Sequence, residues 1–385
     1  MAPTGEIPPV KAPALHLPAS ANTCEVSVIN TTCDMTLPTI SLIGPTIPGH
    51  EDLNLPTYAF LVENRRLNKR LLFDLGTRKD WWNLPPGVVS SILSKGVSGL
   101  RIDKDVADIL REGGVDPASI DAVVWSHFHW DHIGNIQLFP RRVDVVVGSP
   151  FKRCFLPGYP AGRDSPFWAA DFEGRRIQEI EFDGALTIGG FRAHDYFGDG
   201  SFYLLDVPGH APGHLSGLVR TTADTFVFLG GDVCHYPGAY RPSEYIPMPE
   251  TIPATTTLDA RLPRPCPCSL FTACHPDPEH ARTTPFYRVS TDPDSWYTDA
   301  VEAQRSVDKL VAFDGHDNVF VAIGHDPSLQ DVCDFFPKGT LNGWREKGWK
   351  DRTHWGFVNE LPVDGKPGRP PLAVGLLKEG KPYCG

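Results

Sequence analysis

Residues 124 to 135 read VWSHFHWDHIGN, an apolar run that ends in three histidines and one aspartate within six positions. In an extended segment alternate residues face the same way. His127 and His129 then point to one side, with Phe128 and Trp130 on the other. Asp131 and His132 follow where the chain turns into a glycine-containing loop. Two imidazoles on one face, with a carboxylate and a third imidazole on the next turn, offer four ligands to a small volume. That mixture suits zinc or another divalent first-row ion. A lone histidine at a strand end is ordinarily a hydrogen-bonded structural residue. Four such groups in HxHxDH, buried without a cation, would leave several polar atoms to satisfy.

The elements that must hold these groups can be read from hydropathy and turn signals. YAFLVEN (58–64), a polar turn at RRLNKR and LLFDLG (71–76) predict two strands ending in a Gly turn. TRKDWWNLPPGVV (77–89) reads as a long loop. DKDVADILREGG (103–114) predicts an amphipathic helix with an Asp start and a Gly stop. DAVVWS (121–126) is an apolar strand that delivers the histidines. Further strands are predicted at 143–147, 202–206, 225–229 and 318–323, and a helix at 296–313. Such alternation gives an α/β protein rich in β structure. Residues 1–54 are expected as a Pro-rich flexible arm, 55–335 as the catalytic domain and 336–385 as a C-terminal extension. Within the domain, 236–292 is rich in Pro and Thr, the mark of a long ordered loop or insertion.

Composition narrows the partners. The 385 residues carry a formal net charge of −11 and no basic run, which argues against nucleic acid. No stretch approaches the roughly 20 apolar residues a membrane span needs. The first twenty residues lack the basic and apolar regions of a secretion signal, so a cytoplasmic location is expected. Nine scattered cysteines (24, 33, 154, 234, 266, 268, 274, 333 and 384) fit reduced, intracellular usage. Cys266, Cys268 and Cys274 open with a CxC spacing tighter than the usual zinc CxxC, and read better as loop cysteines than as a metal knuckle.

HFHWDH resembles the HxHxDH signature of the metallo-β-lactamase superfamily, and the family's later motifs can be found in order. LLDVPGHAPGHLSG matches the second histidine motif through His210, FLGGDVCHY supplies Asp232, and VAIGHDP supplies His325. LLFDLG resembles the early Asp-x-Gly motif. The resemblance implies an αββα sandwich of two mixed sheets flanked by helices, with the site in a cleft along one edge. It implies two Zn²⁺, the first held by His127, His129 and His210, the second by Asp131, His132 and His325, with Asp232 bridging. Asp74 and His214 would support ligands from behind.

What the resemblance further implies is hydrolysis. Two zinc ions, two carboxylates and a bridging hydroxide sum to +1 among five neutral imidazoles, and the hydroxide attacks a carbonyl polarised by the same cations. Asp131 would carry the proton to the leaving atom. The pattern is most similar to the lactonase-type branch, including acyl-homoserine lactonases, and to fungal members acting on cyclic carbamates and lactams. The expected reaction is therefore opening of a lactone or lactam. In bacterial lactonases a tyrosine three residues after the bridging aspartate leans over the metals. Here His235 stands at that position and Tyr236 beside it, so both are candidates for an oxyanion donor. A glyoxalase II-type thioesterase and a mononuclear iron dioxygenase share the scaffold and stand as alternatives. Flavodiiron enzymes carry a glutamate where His129 stands, and a degenerate binding module would have lost ligands that this chain keeps. Aromatic residues near the expected cleft, Trp81, Trp82, Trp130, Tyr196 and Phe197, suggest a moderately apolar small-molecule substrate. The arm is free to pack on the domain or on a second subunit of a homodimer.

Overall fold

The computed structural model describes residues 5–383; Cys384 lies outside them. Two sheets face one another. The larger has nine strands, in the order Lys381–Pro382, Gly375–Lys378, Gly99–Ile102, Glu25–Pro38, Asp52–Asn64, Lys69–Phe73, Ala122–Val124, Asp144–Gly148 and Ile177–Ile180. The smaller has six, running Val319–Ala322, Phe226–Leu229, Leu215–Arg220, Phe202–Asp206, Phe191–Asp195 and Thr187–Ile188. Both mix parallel and antiparallel neighbours: Lys69–Phe73 runs parallel to Ala122–Val124, and Phe226–Leu229 parallel to Val319–Ala322.

Side chains alternate across each strand, and the alternation sorts the layers. Val26, Val28, Phe60, Phe73 and Val124 meet Phe202, Leu204, Leu215 and Leu229 between the sheets. The opposite faces carry helices. Leu61, Leu72, Val123 and Val145 pack with Val106, Ala107 and Leu110 of the helix Val106–Glu112. Tyr203, Leu205, Leu218 and Phe228 pack with Val307, Leu310 and Phe313 of the helix Ala300–Asp314. The order is helix, sheet, sheet, helix, as the motif resemblance implies.

Three expectations change. The segment read as a flexible arm supplies a central strand: Glu25–Pro38 pairs antiparallel with Asp52–Asn64 along nearly its whole length. Its burial is nearly continuous, with Val26 and Val28 packed in one core cluster and Ile29 in another, as befits a strand buried on both faces. The loop expected at 77–89 holds the start of a helix, Pro86–Ser94, with proline at its first position, where a missing N–H costs nothing. The helix expected from Trp296 begins at Ala300, because the Asp299 carboxylate accepts the Glu302 N–H and caps it there. Trp296 and Tyr297 are left on the preceding turn. Residues 236–292 are mostly irregular, yet Tyr240, Met248, Phe271 and Phe286 are buried in the core beside the six-stranded sheet. In the C-terminal region, Gly375–Lys378 joins the nine-stranded sheet beside Gly99–Ile102. No helix among the described residues is long and apolar enough to cross a membrane.

Candidate metal centre and its cavity

Four loops at one edge of the sandwich, each following a strand, converge on a buried knot of imidazoles and carboxylates. The strand Ala122–Val124 ends before the histidines, so His127 and His129 come together on a turn, and Trp130–Ile133 forms one helical turn carrying Asp131 and His132. His210 follows Phe202–Asp206, Asp232 follows Phe226–Leu229, and His325 follows Val319–Ala322. These side chains form two sets of potential ligands, each with its donor atoms within 4.8 Å of one another: His127, His129, His210 and Asp232, then Asp131, His132, Asp232 and His325.

Asp232 belongs to both, and its two oxygens divide between them. Oδ2 lies 3.5 Å from His127 Nε2 and 3.4 Å from His210 Nε2. Oδ1 lies 3.1 Å from His132 Nε2 and 3.2 Å from His325 Nε2. His210 Nε2 is 3.2 Å from His127 Nε2 and 2.9 Å from His129 Nδ1. Asp131 Oδ2 stands 3.5 Å from both His132 Nε2 and His325 Nε2.

On His132 and His325 the ring hydrogen points away from the centre. Asp74 Oδ2 accepts from His132 Nδ1 at 2.9 Å, and the Pro56 carbonyl accepts from His325 Nδ1 at 3.0 Å. The Nε2 lone pairs of His132 and His325 therefore face each other at 3.3 Å. Two acceptors cannot satisfy one another; a cation between them can. Tetrahedral bonds of roughly 2.0–2.1 Å to zinc would separate ligand atoms by about 3.3 Å, the spacing found here. Asp232 Oδ1 and His210 Nδ1 are buried without a hydrogen-bond partner among the described residues. The donor set fits a divalent cation in each half.

Electrostatics agree. Burial pushes His129 down to about 4, and pushes His127 and His210 well below free imidazole, which leaves these rings neutral and able to act as ligands. Burial alone would raise Asp232, but His132, His325, His235 and His127 hold it well below the usual carboxylate range. Burial also opposes charge on His132, yet Asp232, Asp131 and Asp74 outweigh it and drive its pKa well up. In effect a proton is drawn to where a metal cation would sit.

Supporting groups hold the ligands from outside. Asp74 also accepts the Ser126 N–H at 2.7 Å and the Ser126 hydroxyl at 2.8 Å, while Ser126 Oγ lies 2.9 Å from His127 Nδ1. His214 donates from Nδ1 to the Val207 carbonyl at 3.1 Å and accepts the Asp232 backbone N–H at Nε2, 2.9 Å. Such outer contacts fix tautomer and ring orientation. Gly324 permits a close approach: an added Cβ would lie 3.0 Å from Asp232 Oδ1 and 3.1 Å from His132 Cε1. Its N–H donates to the Gly231 carbonyl at 2.9 Å.

The two oxyanion candidates separate. His235 lines the cavity, with Nε2 3.0 Å from Asp232 Oδ2. Tyr236 does not: its hydroxyl donates to the Phe357 carbonyl at 2.7 Å, and its ring packs on Tyr287 and Phe357. Adjacent residues on extended backbone point opposite ways, and burial of the phenol required an acceptor on the far side. Of the aromatic candidates, Trp130 lines the cavity. Trp81 is buried with its indole N–H given to the Leu377 carbonyl at 2.8 Å, and Trp82 lies under Lys378. Tyr196 and Phe197 pack against Phe202 on the six-stranded sheet. None of these four lines the cavity.

Facing the donors is an apolar wall of Met35, Leu37, Leu42 and Leu55, with Trp296 at its margin. Sequence reasoning missed these, and missed Tyr297, whose hydroxyl is 2.8 Å from His235 Nδ1. The alternation of Cys33, Met35 and Leu37 was the available signal for the wall; Trp296 and Tyr297 gave none beyond residue type. Cys266 and Cys268, within residues 236–292, are buried in the core, and the cysteines of that region belong to neither ligand set.

The chain matches the model of the metallo-β-lactamase superfamily over residues 53–231. It is 42% identical to gamma-lactamase FDB1 of Fusarium pseudograminearum, over 91% of this chain and 86% of that one. Metallo-hydrolase mfmC of Annulohypoxylon moriforme is 41% identical, over 93% and 92% respectively. The chain belongs to the metallo-β-lactamase superfamily. It is a metal-dependent hydrolase with fungal relatives. A solved structure of a B. thuringiensis AiiA mutant with N-decanoyl-L-homoserine bound at its active site shares the fold at TM-score 0.54, with 18% identity over 83% of this chain and 99% of that chain.

Proposed function

We propose that this hydrolase holds two Zn²⁺ and opens a lactam or lactone ring carrying a moderately apolar substituent. The observation that supports this most is the Asp232 carboxylate dividing its oxygens between two donor sets. Its fungal relative's name, gamma-lactamase, supports the cyclic amide. A pair of divalent cations lowers the pKa of water to about 7 and polarises a carbonyl. The chain's residues supply the rest. His127, His129 and His210 hold one cation, Asp131, His132 and His325 the other. Asp131, on the cavity wall, takes the proton of the attacking water and passes it to the leaving nitrogen or oxygen. His235 presents a ring nitrogen beside Asp232, where a donor stabilises the developing oxyanion. The apolar wall receives the ring's carbon edge and keeps water out.

The space above the donors is small, about 20 Å³. It adjoins an outer cavity of about 340 Å³, and the two share His129, Trp130 and Trp296. Phe128, Phe155 and Val88 give the outer cavity an apolar lining, with Ser91 and Arg163 among its polar members. That volume is at the lower end for small-molecule pockets, and it suits one uncharged ring or short chain attached to the reacting ring.

Protein purified without added metal, analysed for metals and assayed on lactams, lactones and thioesters, tests the reading. Two zinc per chain with ring opening is expected. One iron per chain with oxygen uptake and no hydrolysis overturns it, and thioester turnover alone moves the chain to the thioesterase class.

A further inference from the structure

Tyr297 has no place in the donor cage, yet its hydroxyl reaches His235. The residue as a whole is half-buried, but the hydroxyl end is enclosed against the cage, and its ring meets His210 edge-on at 5.0 Å. The turn carrying it is tied down on both sides. The Thr298 N–H donates to the His210 carbonyl at 3.0 Å, the Asp299 N–H donates to the Gly209 carbonyl at 2.9 Å, and Asp299 then caps the helix Ala300–Asp314.

The hydrogen-bond chain has a definite direction. An ionised carboxylate only accepts, so His235 Nε2, 3.0 Å from Asp232 Oδ2, must carry the hydrogen. With the ring's one hydrogen on Nε2, Nδ1 is an acceptor, and the hydroxyl 2.8 Å away is its donor. Burial pushes the Tyr297 phenol well above its usual value and keeps that proton in place. Without this hydroxyl Nδ1 loses its partner, and only the Asp232 carboxylate is left to orient the ring.

We infer that Tyr297 is a positioning residue: together with Asp232 it holds the His235 ring at both nitrogens, which fixes the ring's orientation and its Nε2–H tautomer at the cavity wall. The catalytic consequence rests on the dinuclear hydrolase reading; the tautomer does not. A phenylalanine at 297 would fill the same volume, so the hydroxyl can be removed alone.

The test combines a spectrum and a kinetic cycle. Long-range ¹⁵N–¹H spectra of the zinc-loaded and zinc-free protein, with His235 assigned through His235→Gln, should show the Nε2–H tautomer in the parent, and in Tyr297→Phe a shifted and broadened Nδ1 signal from a ring that has lost that partner. With γ-butyrolactone and 2-pyrrolidinone as probes, Tyr297→Phe should lower kcat about 10- to 100-fold, less than the 10²–10³ lost with a whole oxyanion donor. KM should stay within about 2-fold and zinc content unchanged. In a His235→Gln background, where an amide N–H needs no tautomer, Tyr297→Phe should change kcat by less than about 2-fold, as coupled residues do. An Nδ1–H tautomer in the parent, an unaltered kcat in Tyr297→Phe, or equal losses in both backgrounds would overturn the inference. A parent that opens neither ring refutes the hydrolase reading, and the parent spectrum still decides the tautomer.

Discussion

On one side of the cavity stand seven clustered polar side chains, of which His127, His132 and His325 are each held by a group behind the ring; on the other stand Met35, Leu37, Leu42 and Leu55. The donor side is over-determined: Asp74 alone fixes His132 and Ser126, and Ser126 reaches His127. The apolar side is held by packing and by strand pairing of Glu25–Pro38 with Asp52–Asn64. The difference teaches that chemistry and selectivity are carried by separate parts of the chain. Changes on the first side should abolish turnover, and changes on the second should redistribute it among substrates.

The largest effect is expected for Asp232→Ala. Removing both oxygens leaves two donor sets incomplete, so metal content should fall below two per chain and kcat/KM should drop at least about 10³-fold. Full metal content by elemental analysis would take the bridge out of the cage. Next comes Asp131→Asn, which keeps shape and one ligand oxygen but cannot carry a proton: kcat should fall about 10²- to 10³-fold with KM little changed. If instead KM rises and kcat holds, the proton role belongs elsewhere. On the apolar side, Trp296→Ala merges the two cavities. It should shift the preference between γ-phenyl-γ-butyrolactone and γ-butyrolactone by about 10-fold while zinc content stays constant; an unchanged ratio would mean that this wall does not select.

The smallest effect concerns stability and links that wall to pH. Asn54, beside Leu55, donates to Glu360 Oε2 at 2.9 Å, while Glu360 Oε1 has no hydrogen-bond partner. Burial raises the Glu360 pKa from 4.5 to about 7. The folded state thus binds this proton more tightly than the unfolded chain, so its stabilisation is complete below about pH 4.5 and is lost as pH rises through about 7. Glu360→Gln, which mimics the protonated acid, should raise stability at pH 8 by on the order of 1 kcal/mol and change little at pH 4.5. Urea titrations at the two pH values check it, and equal effects at both would point to packing instead.

The two sides were also unequally legible. The donor side could be read because ligand chemistry restricts residue type: HFHWDH, then His210, Asp232 and His325, each after a strand, left few alternatives. The layered fold came with those motifs rather than from periodicity. The apolar side was hidden because leucine and methionine are compatible with almost any buried position. Its strand begins after a Pro-rich stretch and is broken by a register shift between Asn30 and Asp34, which interrupts the alternation. Aromatic residues misled for a related reason. Trp81 and Trp82 sit close to the Asp74 turn in sequence, but an indole N–H goes where an acceptor is, and for Trp81 that was the C-terminal strand. Trp296 reached the cavity because Asp299, three residues after it, caps the start of the following helix and leaves Trp296 on the turn before it.

Gly324 carries a consequence for how this centre can evolve or be engineered. The missing side chain there is what lets two loop backbones close on each other, and even a methyl group would act as a wedge between the shared carboxylate and a neighbouring imidazole. The spacing of the two donor sets is thereby gauged by an absence, and enlarging that one residue would displace Asp232 and His132 by a few tenths of an ångström with every ligand residue unchanged in type.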